Sequence, residues 1–162
     1  MKQTEIRQAK QQDLEEIVAL VRNTIKIIYP RYYPEGAVDF FLKHHEKDKV
    51  KSDLIAGRVY VFTSNNKTLG TVTIKGNEIA RLFVEPEMQG KGFGSRLIDF
   101  AEECIWKGHE EICLDASFPA KQIYLNRGYR EKEYHKIVTE NGDYLCYDEM
   151  VKNQSFCQNP FR

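Results

Sequence analysis

Residues 89–94 read QGKGFG and form the segment of the chain with the clearest chemical potential. This segment lies between an apolar run and a region of helical periodicity. The first amides of a helix have no partner within the helix, and they lie at the positive end of its dipole. Glycines there let the main chain approach a ligand closely and take positive φ angles. The segment therefore predicts a site for an anion, most naturally a phosphate or pyrophosphate, beside the mobile positive charge of Lys91.

Other glycine-rich motifs fit this segment less well. The phosphate-loop pattern GxxxxGK[ST] is absent, and the dinucleotide pattern GxGxxG fails because the third glycine comes one residue early. Asp115 favours the dinucleotide alternative, since it ends the next strand, about where an acid that binds a ribose would stand. The strand before the glycines is third in a meander, however, and not first in a βαβ unit. A turn that only lets a helix pack on a sheet is the remaining alternative.

The elements before this loop are predicted from changes in hydrophobic period. A short strand is expected at residues 6–9, and a helix should run from an Asp13 N-cap to about Ile28, with Glu16 completing a capping box. Prolines then break the chain, and shorter helices are expected at residues 38–43 and 52–56. Three strands with close turns between them predict an antiparallel meander, at residues 59–63, 69–74 and 79–84.

The second half of the chain alternates helices with short strands. Apolar residues on one helical face predict a helix that ends at Gly108, and another helix should begin near Pro119 and stop near Gly128. Strands are expected at residues 112–114, 129–139 and 144–151, the last two joined by the hairpin signal at residues 141–142. The order predicts one α+β domain over residues 1–152, followed by a tail at 153–162.

Composition excludes several classes of protein. The chain has 162 residues, and its 24 lysines and arginines balance 24 aspartates and glutamates. We therefore expect neither nucleic acid nor a membrane as a partner. No apolar segment resembles a signal peptide or a membrane helix. The cysteines form no CxxC pair, so we expect a reduced, cytoplasmic protein without a metal, with small buried hydrophobes at Cys104, Cys113, Cys146 and Cys157.

Residues 82–97 closely resemble the signature of the GNAT superfamily of acyl-CoA-dependent N-acetyltransferases. The core of that signature, Q/R-x-x-G-x-G/A after a strand, is matched by Gln89, Gly92 and Gly94. A second family motif, A-x-x-x-Y-x-x-x-G-[FY], is matched at residues 120–129. The sequence departs from many members at Ser117, where they carry asparagine, so we expect one contact along the coenzyme to differ.

The resemblance implies the fold and the way acetyl-CoA binds. The fold would be a central, mostly antiparallel twisted sheet of about six to seven strands with helices on both faces. A V-shaped opening between strand 79–84 and strand 111–116 would hold the pantetheine arm, and the amides of residues 89–95 would hold the pyrophosphate. The implied coenzyme contacts are Leu82, Phe83, Val84, Gln89, Gly90, Lys91, Gly92, Phe93, Gly94, Ser95, Ser117, Ala120 and Tyr124.

The reaction implied by the resemblance is acetyl transfer from acetyl-CoA to a primary amine of a small molecule or peptide. Tyr124 is the candidate acid for the departing thiolate, since a phenol is protonated at neutral pH. The Val84 N–H is the implied oxyanion donor. Glu78 is the candidate base, on a strand face that it is expected to share with Ala80, Leu82 and Val84. Alternatives for the base are His135 and a chain of waters.

No cysteine occupies a motif position for carrying the acyl group, so we expect direct transfer in a ternary complex. The amine would bind near residues 28–34 and the turn at Asn141, where three tyrosines and Arg31 form either a pocket or ordinary packing. A non-catalytic module that senses acyl-CoA and regulates a partner is the alternative function. A homodimer is an open alternative to a monomer.

Overall fold

The computed structural model describes residues 4–154, and seven strands within them form one twisted sheet. The strand order is β1-β2-β3-β4-β5-β7-β6, and every neighbouring pair is antiparallel except β4 and β5. This arrangement confirms the predicted α+β class. The strands are β1 Thr4–Gln8, β2 Val59–Ser64, β3 Lys67–Lys75, β4 Glu78–Val84, β5 Glu111–Ala116, β6 Arg130–Val138 and β7 Tyr144–Asn153.

In the described part of the chain, five α-helices cover the two faces of the sheet, as expected. One face packs against the first three helices through a core that includes Ile17, Val21 and Val50. The other face packs against the last two through a core that includes Leu97 and Ile105. Each fully buried aliphatic side chain of this kind stabilises the fold by about 1.5–3 kcal/mol. The helices are α1 Leu14–Ile28, α2 Glu35–His44, α3 Lys47–Ile55, α4 Phe93–Trp106 and α5 Phe118–Asn126.

The start of α1 differs from the predicted capping box. The Asp13 carboxylate accepts hydrogen bonds from the Arg7 guanidinium at 2.8 and 2.9 Å and from the Lys10 N–H at 2.7 Å. It therefore closes a short 3-10 turn before the helix, and the side chain makes no cap hydrogen bond to α1. The hydrogen bond from Arg7 holds the pKa of Asp13 below its ordinary value. The capping-box prediction was wrong because Arg7, on a neighbouring strand, takes the carboxylate.

A bulge in β4 sets which side chains face each side of the sheet. Thr73 of β3 pairs with Arg81, and the next residue, Ile74, pairs with Ile79, so Ala80 is an extra residue on β4. Ile79 consequently packs in the core beneath α4, and Phe83 packs in the core beneath α1, although regular alternation would put both on one face.

The bulge also corrects the predicted environment of Glu78. Leu82 and Val84 pack on the α4 side, together with Ile79. Glu78 precedes Ile79 in the strand, so it faces the opposite side, with Arg81. The expectation that Glu78 shares a face with Leu82 and Val84 was therefore wrong.

The parallel strands β4 and β5 are joined at one point only. Their sole register pair is Glu78 with Cys113, where the Cys113 N–H also donates to the Asn77 carbonyl at 3.0 Å. No further pairing between the two strands occurs toward Val84 within the described residues. β5 instead continues along β7, from Glu111 to Ala116. The gap between β4 and β5 is the V-shaped opening that the family resemblance implies.

The last hairpin is confirmed and is tied to α2. Its turn is closed by the Thr139 N–H, which donates to the Asp143 carbonyl at 2.8 Å, and Gly142 takes a φ of 86°. The Gly36 N–H at the start of α2 donates to the Asp143 carboxylate at 2.9 Å. A side chain at Gly36 would collide with Asn141, so glycine allows this close approach.

The ends of the described chain add two findings. β7 runs through Asn153, and the Gln154 N–H donates to the Glu110 carbonyl at 3.0 Å, so the domain extends beyond the predicted boundary at residue 152. The rest of the predicted tail, with Cys157, lies outside the described residues. Cys104, Cys113 and Cys146 are free and half-buried. In residues 4–154 we find no helix with the length and apolar character needed to cross a bilayer.

Candidate active site

The loop between β4 and α4 presents a run of unpaired main-chain donors. Gly90 and Gly92 have φ angles of 73° and 85°, and α4 begins directly after them. The amides of residues 90–95 donate no hydrogen bond within the described part of the chain, and the first that does is Arg96, to the Gly92 carbonyl at 3.1 Å. A Cβ at Gly90 or Gly92 would meet nothing within 4 Å. Glycine is therefore required there for its backbone conformation, which leaves the amides free to bind an anion.

Gln89 has a role different from the one expected. Its N–H donates to the Pro86 carbonyl at 3.3 Å, so this amide is not free for a pyrophosphate. Its side-chain Nε2 donates to the Val84 carbonyl at 3.1 Å. Gln89 therefore ties the glycine loop to the end of β4, and the run of free amides begins one residue later than expected.

The main chain of β4 offers donors and acceptors to the gap beside β5. The Glu85 N–H donates to the Leu69 carbonyl at 2.9 Å, so in the antiparallel ladder with β3 the groups of Phe83 point toward β3. The main-chain groups of Leu82 and Val84 point the other way, toward the gap, where β5 provides no partner. The Leu82 main chain and the Val84 N–H can therefore pair with a ligand, while the Val84 carbonyl is taken by Gln89 Nε2. The main chain of Phe83 points toward β3, so Phe83 can contribute only its ring.

A cavity of about 250 Å³, which we call the loop cavity, runs from the glycine loop to the gap. It includes eight of the residues expected to bind coenzyme and five from the neighbouring helices and turn. The lining residues are Thr24, Ile28, Tyr29, Leu82, Phe83, Val84, Gln89, Gly90, Gly94, Ser117, Pro119, Ala120 and Ile123.

The remaining loop residues lie outside the loop cavity. Phe93 packs its ring on Phe62, with the centroids 4.9 Å apart, and so anchors α4 to the core. The Lys91 ammonium lies 3.7 Å from the sulfur of Met88. Gly92 and Ser95 contribute free amides but no surface to the cavity.

A second cavity of about 240 Å³, which we call the polar cavity, lies on the α2 side of the gap. It shares Tyr29, Leu82, Phe83, Ser117 and Ala120 with the loop cavity, so the two meet where β4 and β5 separate. The other lining residues are Phe40, Phe41, His44, His45, Glu78, Ile79, Ala80, Arg81, Asp115, Tyr124, Ile137, Leu145 and Tyr147.

Two carboxylates without partners line the polar cavity. Glu78 and Asp115 form no ion pair and no side-chain hydrogen bond within residues 4–154; Glu78 is partly buried and Asp115 is exposed. Burial raises the pKa of Glu78, and the nearby charge of Asp115 adds to the shift. Partial desolvation also raises the pKa of Asp115, with Glu149 adding to it and His135 opposing it. A carboxylate with a raised pKa is a stronger base, as a proton acceptor in catalysis requires.

Tyr124 presents a free hydroxyl to the same cavity. Its side chain is 6% exposed, and its ring packs edge-on against Tyr129, with the centroids 5.3 Å apart. The hydroxyl has no hydrogen-bond partner among the described residues, although Tyr124 lines the polar cavity. Burial raises the pKa of Tyr124, so the phenol stays protonated at neutral pH. Tyr124 is therefore available as a proton donor.

His135, the alternative base, lies outside both cavities. Its ring stacks on Tyr147, with the centroids 4.9 Å apart, and its Nε2 lies 3.4 Å from the Glu149 carboxylate. Tyr147 separates it from the polar cavity, so the geometry favours Glu78. Glu133, His135 and Glu149 bring potential metal ligands within 4.8 Å of one another. Glu149 is already paired with Lys132 at 3.2 Å, and this pairing explains the grouping without a metal.

The expected acceptor region contributes little to the polar cavity. Tyr29 lines it, but the Tyr33 hydroxyl accepts a hydrogen bond from the Phe118 N–H at 2.7 Å, and Tyr32 is exposed. Asn141 lines a separate cavity of about 190 Å³. Most of this segment is packing. Sequence reasoning missed His44, His45 and Arg81, for which no motif gave a signal.

The model of the family described as "Acetyltransferase (GNAT) domain" matches residues 28–144. The chain belongs to the GNAT family. This match covers the gap, the glycine loop and most of the residues that line the two cavities. The family resemblance seen in the two sequence motifs is therefore confirmed.

Relatives of known structure share the GNAT fold. A GCN5-related N-acetyltransferase from Rhodopseudomonas palustris superposes with a TM-score of 0.84 at 24% identity, covering 94% of this chain and 97% of that one. PaiA N-acetyltransferase from Thermoplasma acidophilum, solved in complex with coenzyme A, has a TM-score of 0.73 at 22% identity, covering 93% and 99%. The uncharacterized N-acetyltransferase YafP of Escherichia coli K12 is 22% identical over 137 residues, which are 85% of this chain and 88% of that one.

Proposed function

We propose that this GNAT protein is an acyltransferase that moves the acetyl group of acetyl-CoA directly to a primary amine in a ternary complex. The observation that carries the proposal is the meeting of the loop cavity and the polar cavity at the gap between β4 and β5. Free main-chain donors lie on one side of this gap, and a carboxylate and a phenol without partners lie on the other. A thioester and an amine could therefore meet there.

The residues around the loop cavity fit coenzyme A. The amides of residues 90–95 and the start of α4 would hold the pyrophosphate. The Val84 N–H and the Leu82 carbonyl would pair with the amide groups of the pantetheine arm. When bound, acetyl-CoA supplies a thioester whose acetyl group is activated for transfer.

The residues of the polar cavity would move the protons. The Glu78 carboxylate would accept the proton that the amine loses as it forms the new C–N bond. The Leu82 N–H, directed into the gap, would stabilise negative charge on the carbonyl oxygen. Val84, the donor that the resemblance implied, lies five residues of β3, about 17 Å, from Glu78 along the ladder, which is too far to act on the same carbonyl. The Tyr124 hydroxyl would donate a proton to the thiolate as the C–S bond breaks. No acyl group rests on the protein in this scheme.

Two measurements test the proposal. Titration calorimetry with acetyl-CoA should show binding, and a panel of amines should then release free thiol in the presence of the protein. The absence of heat with acetyl-CoA would refute the proposal. Binding without thiol release across a broad panel would instead favour a regulatory module, and a burst of acyl-enzyme in a single turnover would refute direct transfer.

A further inference from the structure

The α2 side of the polar cavity contains two buried polar side chains whose N–H groups are not all used. His45 is 7% exposed and Arg81 is 6% exposed, and both line the cavity. Buried polar groups in proteins normally have partners, so unused donors on a cavity wall indicate a ligand group that accepts them. This wall is separate from the candidate acid and base described above.

His45 is held as a donor toward the cavity. Its Nδ1 accepts a hydrogen bond from the Arg81 Nε–H at 3.2 Å, so the neutral ring carries its proton on Nε2. Burial lowers the pKa of His45 to about 2, and the charge of Arg81 adds to this, so the ring is neutral at physiological pH. Nε2 has no hydrogen-bond partner in the described residues. Among those residues, Arg127 Nε is the only side-chain nitrogen or oxygen that both lacks a partner and is inaccessible to solvent, so His45 Nε2 is accessible. The His45 Nε2–H is therefore reached from the cavity.

Arg81 offers a second free donor on the same wall. Its Nη1 donates to the Asp53 carboxylate at 3.2 Å and to the Thr73 hydroxyl at 3.0 Å, while Nε is used by His45. Nη2 has no partner among residues 4–154 and is not sealed from solvent.

The charge on this wall is positive. Asp53 is also paired with Lys75 at 3.2 Å and lies 3.7 Å from Arg58, so one carboxylate is shared among three cations. A negatively charged group in the cavity would therefore be attracted to the wall.

The opposite charge lies close by on the same strand. In the ladder between β3 and β4, Glu78 pairs with Lys75 and Arg81 pairs with Thr73. Glu78 and Arg81 are therefore two β3 residues apart, about 7 Å along the strand. Glu78 and Asp115 have no partners, as described above. The polar cavity therefore has an anionic end and a cationic end. Its volume of about 240 Å³ lies below the range of about 300–1,000 Å³ for drug-sized ligands, which fits a small molecule.

We propose that the acceptor is an amino acid or a similar small molecule that carries both an amine and a carboxylate. Its carboxylate would accept hydrogen bonds from the Arg81 Nη2–H and the His45 Nε2–H, and its amine would be directed to Glu78. This inference rests on the proposed N-acetyltransferase function and names its substrate class. A polyamine fits less well, because its second cation would face Arg81.

Wild-type protein and matched sets of compounds provide the first test. Each set contains an L-amino acid, its carboxamide and the amine that lacks the carboxylate. Because a hydrogen bond to a charged group contributes about 1.5–3 kcal/mol, kcat/KM should fall about 10- to 100-fold from the amino acid to either analogue. If the analogues react as fast as the amino acid, the inference is overturned. It is also overturned if the protein acetylates simple amines and does not acetylate any amino acid.

Acetyl-CoA binding, measured first, separates this inference from the proposed function. Loss of acetyl-CoA binding would refute both. Binding of acetyl-CoA with turnover that ignores the carboxylate would refute only the substrate class. Binding of acetyl-CoA with no measurable binding of any amino acid by calorimetry would also refute it.

His45→Phe is the second test, because phenylalanine keeps a buried ring and removes the Nε2–H. It also removes the Nδ1 that accepts the Arg81 Nε–H, so the variant tests the His45–Arg81 pair as a unit. KM for the amino acid should rise about 10-fold or more with kcat little changed, and KM for the matched amine should stay the same. His109→Phe is the control, since it makes the same substitution at an exposed histidine that lines neither cavity. Thermal unfolding and acetyl-CoA binding verify the fold of each variant. An equal KM change for acid and amine would overturn the assignment of His45.

Discussion

Replacing Gly92 by alanine tests whether the conformation of the glycine loop creates the coenzyme site. Gly92 has φ 85° and ψ 0°, and a Cβ there would meet nothing within 4 Å. Steric collision with neighbours therefore contributes nothing to the cost of the substitution. The left-handed conformation itself costs an alanine roughly 1–2 kcal/mol. An alanine can avoid this cost if the loop changes conformation, and residues 90–95 would then no longer present their amides in the same geometry.

We expect the cost of about 1–2 kcal/mol in Gly92→Ala to be divided between a lower free energy of unfolding and weaker acetyl-CoA binding, which could fall by up to about 10-fold, since 1.4 kcal/mol corresponds to a factor of ten. Titration calorimetry measures the affinity, and chemical denaturation measures the stability. A loop that keeps its shape would show mainly the loss of stability. A loop that relaxes would show mainly the loss of affinity.

Two other glycines provide controls for Gly92→Ala. Gly76, in the turn between β3 and β4, has φ 60° and equally open space, but lines neither cavity. Gly76→Ala should lose similar stability and keep its affinity for acetyl-CoA. Gly108, after α4, has open space and no positive φ, so Gly108→Ala should change neither quantity. If Gly92→Ala changed neither stability nor acetyl-CoA affinity more than Gly108→Ala does, the left-handed conformation of Gly92 would not be needed for the coenzyme site.

Three further substitutions have expected outcomes. Tyr124→Phe should lower kcat roughly 100-fold and leave the affinity for acetyl-CoA unchanged, because the substitution removes only the free hydroxyl. Steady-state kinetics measure this effect, and an unchanged kcat would exclude Tyr124 as the acid. We expect wild-type kcat/KM to fall as the pH drops through the pKa of Glu78, which burial and Asp115 raise, and Glu78→Gln should remove this dependence. A carboxyl group whose pKa is raised in the folded state destabilises that state as the pH rises. Glu78→Gln should therefore have an unchanged or higher Tm at pH 7, and a lower Tm would contradict this. Gly36→Ala should destabilise the protein by about 1–3 kcal/mol, measured by denaturation, because the new Cβ collides with Asn141; unchanged stability would show that the hairpin can move.

Features encoded by short stretches of sequence were predicted well. The glycine loop is encoded by residues whose backbone preferences act locally, and the structure has the expected left-handed glycines and free amides there. The meander and the last hairpin were identified from hydrophobic period and turn residues. α2 and α3 were predicted too short. α3 begins with the charged run Lys47-Asp48-Lys49, and α2 begins with Glu35-Gly36-Ala37 directly after a proline, so neither start has clear apolar periodicity.

Features that depend on distant partners were missed. The Asp13 carboxylate is taken by Arg7, and a short-range cap rule cannot include that competitor. His45 and Arg81 come from different elements and meet only in the folded chain. Neither residue belongs to a motif, so the cationic wall of the polar cavity could not be predicted from a single sequence.

The bulge at Ala80 connects these observations, because it determines the composition of the polar cavity. Glu78 and Arg81 are three residues apart, and a regular strand would place them on opposite faces of the sheet. The extra residue on β4 brings both to the α2 side, where one supplies a carboxylate and the other a guanidinium. The same shift returns Leu82 and Val84 to the α4 side with their main-chain groups directed into the gap. A single extra residue in one strand therefore places the proposed base, the proposed carboxylate donor and the coenzyme-pairing groups around one opening.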